Sequence, residues 1–329
     1  MLAELKTERL AKDNVLVIGA GVSGLTTGIS LLQEGYPVEI VAENFPPDTT
    51  SNKAAALWQP FMSGPVEKVP GWSRVSLEKY REEAKNPETG CVRTRTAFIF
   101  DKEAAEPWWK DAIEGFRRLT KEEMPAGYVD GYEMDGIVVD TTMYMDYLVN
   151  TFKSLGGKMT KQKVESMENA AEKAGVIVNC TGLGSIELVG DKTLYPSRGQ
   201  IVKVKKNGFD YSLSDDEGPN ELAYIIPRVN DVVLGGTEED NNWSLEVSEE
   251  DTKAILEKCK AIAPEFTEVE IVEVSVGLRP ARPEIRLERE DLADNKYLVH
   301  NYGHGGSGFT VAWGCAQEVV AVINDALNG

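Results

Sequence analysis

Histidine is nearly missing from this 329-residue sequence: it has two, His300 and His304. A Ser-His-Asp triad or a histidine-rich metal site is therefore poorly supplied. Cysteine is scarce too. Cys91, Cys180, Cys259 and Cys315 stand far apart and show no metal-ligand spacing, so no metal is expected. They read as reduced thiols, and Cys180, at the end of the apolar run Val176–Cys180, reads as buried structure. No apolar run reaches the roughly 20 residues of a membrane span. Residues 1–14 are charged and lack a long apolar centre, which fits a solvated helical lead-in rather than a secretory signal. Positive charge is also short: 35 Lys and Arg against 54 Asp and Glu leave a net charge of −19. That balance opposes nucleic acid and anionic membranes as partners, and an anionic ligand needs local positive charge to draw it in.

What is present begins at Val15-Leu-Val-Ile-Gly19-Ala20-Gly21-Val22-Ser23-Gly24-Leu25. An apolar, mostly β-branched run enters three glycines and leaves as a helix. This is the strand–turn–helix that cradles a dinucleotide pyrophosphate. Gly19 permits the tight turn, Gly21 lets backbone approach the phosphates, and Gly24 lets helix and strand pack. The helix start offers unpaired N–H groups to an anion. A second strand, Val38–Ala42, ends at Glu43, where an acid would bond the ribose hydroxyls. Glu39 sits nearer the nominal spacing but alternates outward. Glu43 disfavours a 2′-phosphate, and the motif alone does not separate NAD from FAD.

Length allows two domains, and 42% hydrophobic residues supply a core for them. After the β-α-β unit comes a hydroxyl-rich stretch, Thr49-Thr50-Ser51-Asn52, which suits either phosphate contact or plain turn chemistry. Helices are predicted over 71–86, 107–118, 144–155 and 248–263. Short strands are predicted at 98–100, 136–140, 200–204, 223–226 and 231–234. Trp108 and Trp109 read as core. The polar segment 208–221, with Asp215-Asp216-Glu217, reads as a solvated loop. Val176-Ile-Val-Asn-Cys-Thr181-Gly182 repeats the opening theme and predicts another parallel strand beside the first. The fold class is therefore α/β, with a discontinuous Rossmann-like domain (1–60, 136–190 and 268–329) and an antiparallel-sheet substrate domain (61–135 and 191–267).

Two late segments carry chemistry. In Gly277-Leu-Arg279-Pro-Ala-Arg282-Pro283, prolines stiffen the backbone around two arginines. A rigid Arg suits a planar carboxylate through paired N–H···O bonds, or an internal salt bridge in so acidic a protein. The run Gly303-His-Gly305-Gly306-Ser307-Gly308-Phe309-Thr310 precedes a helix over 311–327, a second anion-ready helix start. Two such starts suit FAD, with a pyrophosphate at one end and a flavin that becomes anionic on reduction at the other. NAD has no such second need.

The glycine turn, Ala54–Pro60 (AAALWQP), Val176–Gly182, Arg198-Gly-Gln200, Tyr224–Pro227, Gly235-Gly-Thr237, Gly277–Pro283 and Tyr302–Trp313 together resemble the D-amino acid oxidase and D-aspartate oxidase family. They span nearly the whole chain in that family's order. The resemblance implies noncovalent FAD and hydride transfer from the Cα of a D-amino acid to flavin N5. The imino product hydrolyses to a 2-oxo acid and ammonia, and O₂ is reduced to hydrogen peroxide. It implies cofactor contacts from Gly19, Ala20, Gly21, Val22, Ser23 and Gly24, from Glu43 and Asn44, and from Thr49, Thr50 and Ser51. Leu57 and Gln59 would lie by the flavin ring, Val164, Thr181 and Gly182 toward the adenosine, and Gly305, Gly306, Gly308, Phe309 and Thr310 at the second turn. Arg279 would hold the substrate carboxylate with Tyr224 beside it, and Ser307 and Gly306 would meet the amine or the flavin. Gln59 and Glu238 would border the substrate.

Glu238 is also the main departure. The D-aspartate branch places an arginine after Gly-Gly-Thr, whereas here that position is acidic, and the segment before Tyr224 is acidic too, with Asp215, Asp216, Glu217 and Glu221. Neutral, and potentially basic, D-amino acids are therefore expected over D-aspartate, which is the alternative substrate. A nicotinamide-dependent dehydrogenase is the alternative of another class. Members of the family include peroxisomal proteins with a Ser-Lys-Leu-type ending. This chain ends Ala-Leu-Asn-Gly, so a cytoplasmic location is expected, with a peroxisomal one as the alternative and a homodimer as the candidate assembly.

Overall fold

A computed structural model describes residues 14–60, 64–206, 208–266 and 269–328, so the lead-in expected over 1–14 lies outside them but for its last residue. Val15–Ile18 forms β1, Val22–Gln33 the helix α1 and Val38–Ala42 β2. Next come α2 (Val69–Glu83), β3 (Cys91–Phe100), β4 (Arg117–Arg118), β5 (Asp130–Val139), α3 (Thr141–Ser154) and β6 (Lys158–Lys161). They are followed by α4 (Met167–Ala171), β7 (Val176–Asn179), α5 (Ser185–Leu188), β8 (Tyr195–Lys205), β9 (Ser212–Asp215), β10 (Ala223–Pro227), β11 (Asp231–Gly235) and β12 (Glu239–Asp240). The chain ends with α6 (Glu249–Ile262), β13 (Ile271–Ala281), β14 (Arg286–Asp291), β15 (Tyr297–Tyr302) and α7 (Gly308–Asn328).

The first sheet runs β14-β15-β7-β1-β2-β6 and is parallel except for the edge strand β14. β1 and β7 are buried at every position, as expected of apolar strands covered on both faces. The chain leaves β1 toward β2 and later returns to β1's other side as β7. That reversal opens a crevice at the carboxyl ends of the strands. β1 pairs Val15 with Val176, so the two glycine turns that follow these strands lie side by side. A Cβ on Gly19, whose φ is 110°, would sit 2.4 Å from the Cys180 carbonyl oxygen. Leu25 and Ile29 of α1 pack with Val311, Cys315 and Val319 of α7 in the largest apolar cluster.

The second sheet runs β12-β8-β11-β10-β9-β3-β5-β4, with β13 paired along β8. Its pairs are antiparallel except β3 with β9, so the sheet is mixed rather than purely antiparallel. α6 covers one face through Ile255, Cys259 and Ile262 against Val202, Ile225 and Leu234. Its start is fixed by Ser248, whose Oγ accepts the Asp251 N–H at 3.0 Å. Ala54–Pro60 joins the two sheets. Leu57 bridges to Val138, and the Trp58 N–H donates to the Ile137 carbonyl at 2.9 Å. Residues 136–139 and 271–281 thus belong to this second sheet. No helix among the described residues is long and apolar enough to cross a membrane.

Four local expectations are corrected. Residues 107–118 are not a helix. They hold one short turn at 110–112 and then β4, because Arg117 ion-pairs with Glu133 at 2.8 Å and Arg118 with Asp130 at 2.8 Å across the sheet. Of the two tryptophans, Trp109 is core among Trp58, Phe98 and Tyr132, whereas Trp108 is 56% exposed. The supposed loop over 208–221 contains β9, with every residue buried. The strand expected at 98–100 is the last part of the ten-residue β3.

Candidate active site

One cavity of about 670 Å³ runs from the carboxyl ends of β1, β2 and β7 to the face of the second sheet. That lies within the roughly 300–1,000 Å³ typical of small-molecule sites. Of the residues singled out from sequence, all but Gly24 and Ser307 line it. Gly24 instead packs behind the turn, where a Cβ would lie 2.0 Å from the Gly19 carbonyl oxygen. Ser307 is buried, and its N–H donates to the His304 carbonyl at 2.9 Å.

At the end formed by the first sheet, the start of α1 faces the cavity. Its first turn contains no acid, nor does that of α7, in a chain of net charge −19. The first N–H groups of a helix lack intrahelical partners and suit an anion. Ser51 Oγ accepts the Val22 N–H at 2.9 Å, tying the hydroxyl-rich segment to this turn. Glu43 lines the cavity, while Glu39 is engaged by Thr160 and by Lys158, 2.9 Å away. Thr181 donates its N–H (3.1 Å) and hydroxyl (2.8 Å) to Asn179 Oδ1, which fixes the second turn. These features fit a dinucleotide: two helix starts free of acid share one cavity, with an acid and hydroxyls in the same lining.

At the other end, Arg279 of β13 lies across Gly199 of β8. A Cβ on that glycine would meet the guanidinium at 2.5 Å. Arg279 donates to the Thr237 carbonyl at 3.2 Å, and among the described residues no carboxylate pairs with it. Arg282 differs: it ion-pairs with Asp191 at 3.0 Å. The two arginines of one motif thus divide the two readings between them. Tyr224 of β10 stands opposite Gly235 of β11, and a Cβ there would fall 1.9 Å from the phenol ring. The glycines of Gly-Gly-Thr make room for that ring. Burial raises the Tyr224 phenol above its ordinary range, and neighbouring Arg279 pulls it partly back.

Sequence reasoning missed two contributors. Gly199 is one, visible only as the middle of Arg198-Gly-Gln200. His304 lines the cavity with its Nε2 3.0 Å from Asn301 Oδ1, and burial brings it down to about 4, so it is neutral. Asp216, one of the acids noted before Tyr224, lines the cavity as well. Gln59 Nε2 donates to its Oδ2 at 2.8 Å, and burial raises its carboxyl while that bond partly offsets the rise. Gln59 is itself held by Thr310, whose hydroxyl donates to the Gln59 carbonyl at 2.9 Å. No group of three metal-ligating side chains occurs among the described residues.

The family model for FAD dependent oxidoreductases matches residues 14–322. The chain is 48% identical to a D-amino-acid oxidase of Dictyostelium discoideum, over 96% of this chain and 93% of that protein. It is 41% identical to a D-amino-acid oxidase of Rubrobacter xylanophilus, over 95% and 96%. Among solved structures, glycine oxidase from Geobacillus kaustophilus superposes with a TM-score of 0.79 at 18% identity, covering 96% of this chain and 95% of that one, which shows a shared fold. With its glycine turns, its single long cavity and these matches, the chain belongs to the family of FAD-dependent oxidoreductases.

Proposed function

We propose that the protein oxidatively deaminates D-amino acids, using FAD and O₂, to 2-oxo acids, ammonia and hydrogen peroxide. Its two relatives at 41–48% identity are D-amino-acid oxidases, and family membership removes the nicotinamide alternative. The observation that carries the reading is Arg279, a guanidinium without an acidic partner among the described residues, half-buried beside Tyr224 in the cavity that the glycine turns also line. A planar bidentate donor in that setting binds a carboxylate.

The turns after β1 and β7 and the start of α7 would hold FAD, which would supply the acceptor for the hydride that leaves Cα with its two electrons. The chain's own residues orient and shield. Arg279 grips the α-carboxylate, Tyr224 adds a hydroxyl bond, and the wall made by Leu57, Gln59 and Ile226 limits water. His304, neutral and bonded to Asn301, holds the Gly305–Ser307 turn rather than moving a proton. No side chain needs to act as a base if the amine binds neutral, since its lone pair assists hydride departure. We assign the first sheet with α1 and α7 to the cofactor and the second sheet to the substrate.

Glu238 also lines the cavity, without any cation replacing it, which supports neutral over acidic side chains. The test is anaerobic mixing with D-alanine, L-alanine and D-aspartate while following flavin absorbance. Bleaching by D-alanine alone is expected. Bleaching by L-alanine would overturn the stereochemical reading, and faster bleaching by D-aspartate would make the protein a D-aspartate oxidase.

A further inference from the structure

Asp215, Asp216 and Glu217 are consecutive acids with different fates. Asp215 is fully buried and satisfied: its oxygens accept from the N–H groups of Gly218 and Asn220 and from the Tyr128 hydroxyl. Glu217 is exposed and 3.5 Å from Lys102. Asp216 is partly buried and lines the cavity that also holds Arg279 and Tyr224. Its Oδ2 takes the Gln59 amide, a neutral donor, and its Oδ1 receives no bond from any described residue. A carboxylate removed from water and left without a cation is costly unless something supplies one. Glu238, the acid after Gly-Gly-Thr, is exposed and therefore screened.

We propose that Asp216 selects the substrate's side chain, pairing with a cationic terminal group while Arg279 holds the α-carboxylate. The cavity then has a positive and a negative anchor for one zwitterionic, diamino-type ligand. It favours D-amino acids with an ω-ammonium over apolar ones of the same length and repels those with an ω-carboxylate. This inference rests on the oxidase reading above.

The first experiment compares kcat/KM for D-lysine and D-norleucine, which differ by the terminal ammonium, in the wild type and in Asp216→Asn. The isosteric amide keeps an acceptor for Gln59. The D-lysine to D-norleucine ratio is expected to fall about 10- to 100-fold in the variant, the range for a hydrogen bond to a charged group. Equal losses on both substrates, or no change, would overturn the selector, since Asp216 would then serve the α-amine or the framework. A larger shift of the ratio in Glu238→Gln would move the role to Glu238. Retained flavin absorbance in Asp216→Asn controls for folding. A second measurement needs no variant: 6-aminohexanoate should inhibit the wild type more tightly than hexanoate, by about tenfold or more, and the reverse order would sink the proposal. A wild type that oxidises none of D-lysine, D-norleucine and D-alanine would overturn the reaction itself, and the selector with it. Turnover with an indifferent ratio overturns the selector alone.

Discussion

At the end of the cavity bounded by β1, β2 and β7, the contacts on offer are largely backbone: two glycine turns, two helix starts without an acid, and hydroxyls tied down nearby. At the end walled by the second sheet they are side chains: the ionisable Arg279, Asp216 and Glu238, with the neutral Tyr224 hydroxyl beside them. On the oxidase reading proposed above, the difference follows from the ligands. A pyrophosphate is the same in every turnover and is held by N–H groups that cost no side-chain ordering. An amino acid must be told from its analogues, which takes placed charges whose loss is felt at once.

The comparison breaks hardest where backbone meets backbone. In Gly24→Val the new Cβ would lie 2.0 Å from the Gly19 carbonyl oxygen, and neither atom belongs to a side chain that can swing away. The turn must shift, at about 1–3 kcal/mol or more by overpacking. The variant is expected to emerge from gel filtration without flavin absorbance and to melt at a lower temperature. A yellow, fully stable Gly24→Val would show that the turn has slack.

Arg279→Ala strikes the other end. It removes a charged anchor while leaving both glycine turns in place. A fall in kcat/KM on D-alanine equivalent to about 2–5 kcal/mol is expected, as for truncating one partner of a desolvated charge pair, with flavin still bound. Unchanged kinetics would mean that Arg279 only secures the Thr237 carbonyl.

His304 lies on the cavity wall at the glycine turn before α7, and its effect is on stability. Its folded value, about 4, lies below the ordinary 6.5 because burial disfavours the charged ring. Between those limits the unfolded chain takes up the proton more readily than the folded one. Stability therefore falls as pH is lowered from about 6.5 to about 4, by on the order of 3 kcal/mol from this group. Urea unfolding at both ends of that window should show a correspondingly smaller drop in His304→Gln. An identical drop would assign the acid sensitivity elsewhere.

The sequence was legible where a requirement is local. A strand running into Gly19, Gly21 and Gly24 states its backbone geometry in its residue types, and prolines beside Arg279 announce a stiff arginine. It was illegible where long-range partners decide. β9 carries Ser212, Ser214 and Asp215, so its composition reads as a wet loop. Yet it lies buried between β3 and β10, and Asp215 finds its partner in Tyr128, far back in the chain. That burial is what carries Asp216 to the cavity. Likewise the pattern over 107–118 suits a helix until Arg117 and Arg118 meet Glu133 and Asp130 across the sheet. Nothing near those residues signals such pairs.

The smallest effect sharpens the comparison most. Ser51 is a side chain at the backbone-dominated end, its Oγ accepting the Val22 N–H at 2.9 Å. If backbone holds the pyrophosphate, removing this hydroxyl should cost only what a helix-start acceptor is worth, about 1 kcal/mol. The freed N–H stays at the cavity wall, where an anion can take it. Ser51→Ala is therefore expected to lower apo-protein stability by that amount, and to weaken FAD binding less than about tenfold in a fluorescence titration. A loss as large as that of Gly24→Val would mean that this end, too, depends on a placed side chain, and the contrast between the two ends would fail.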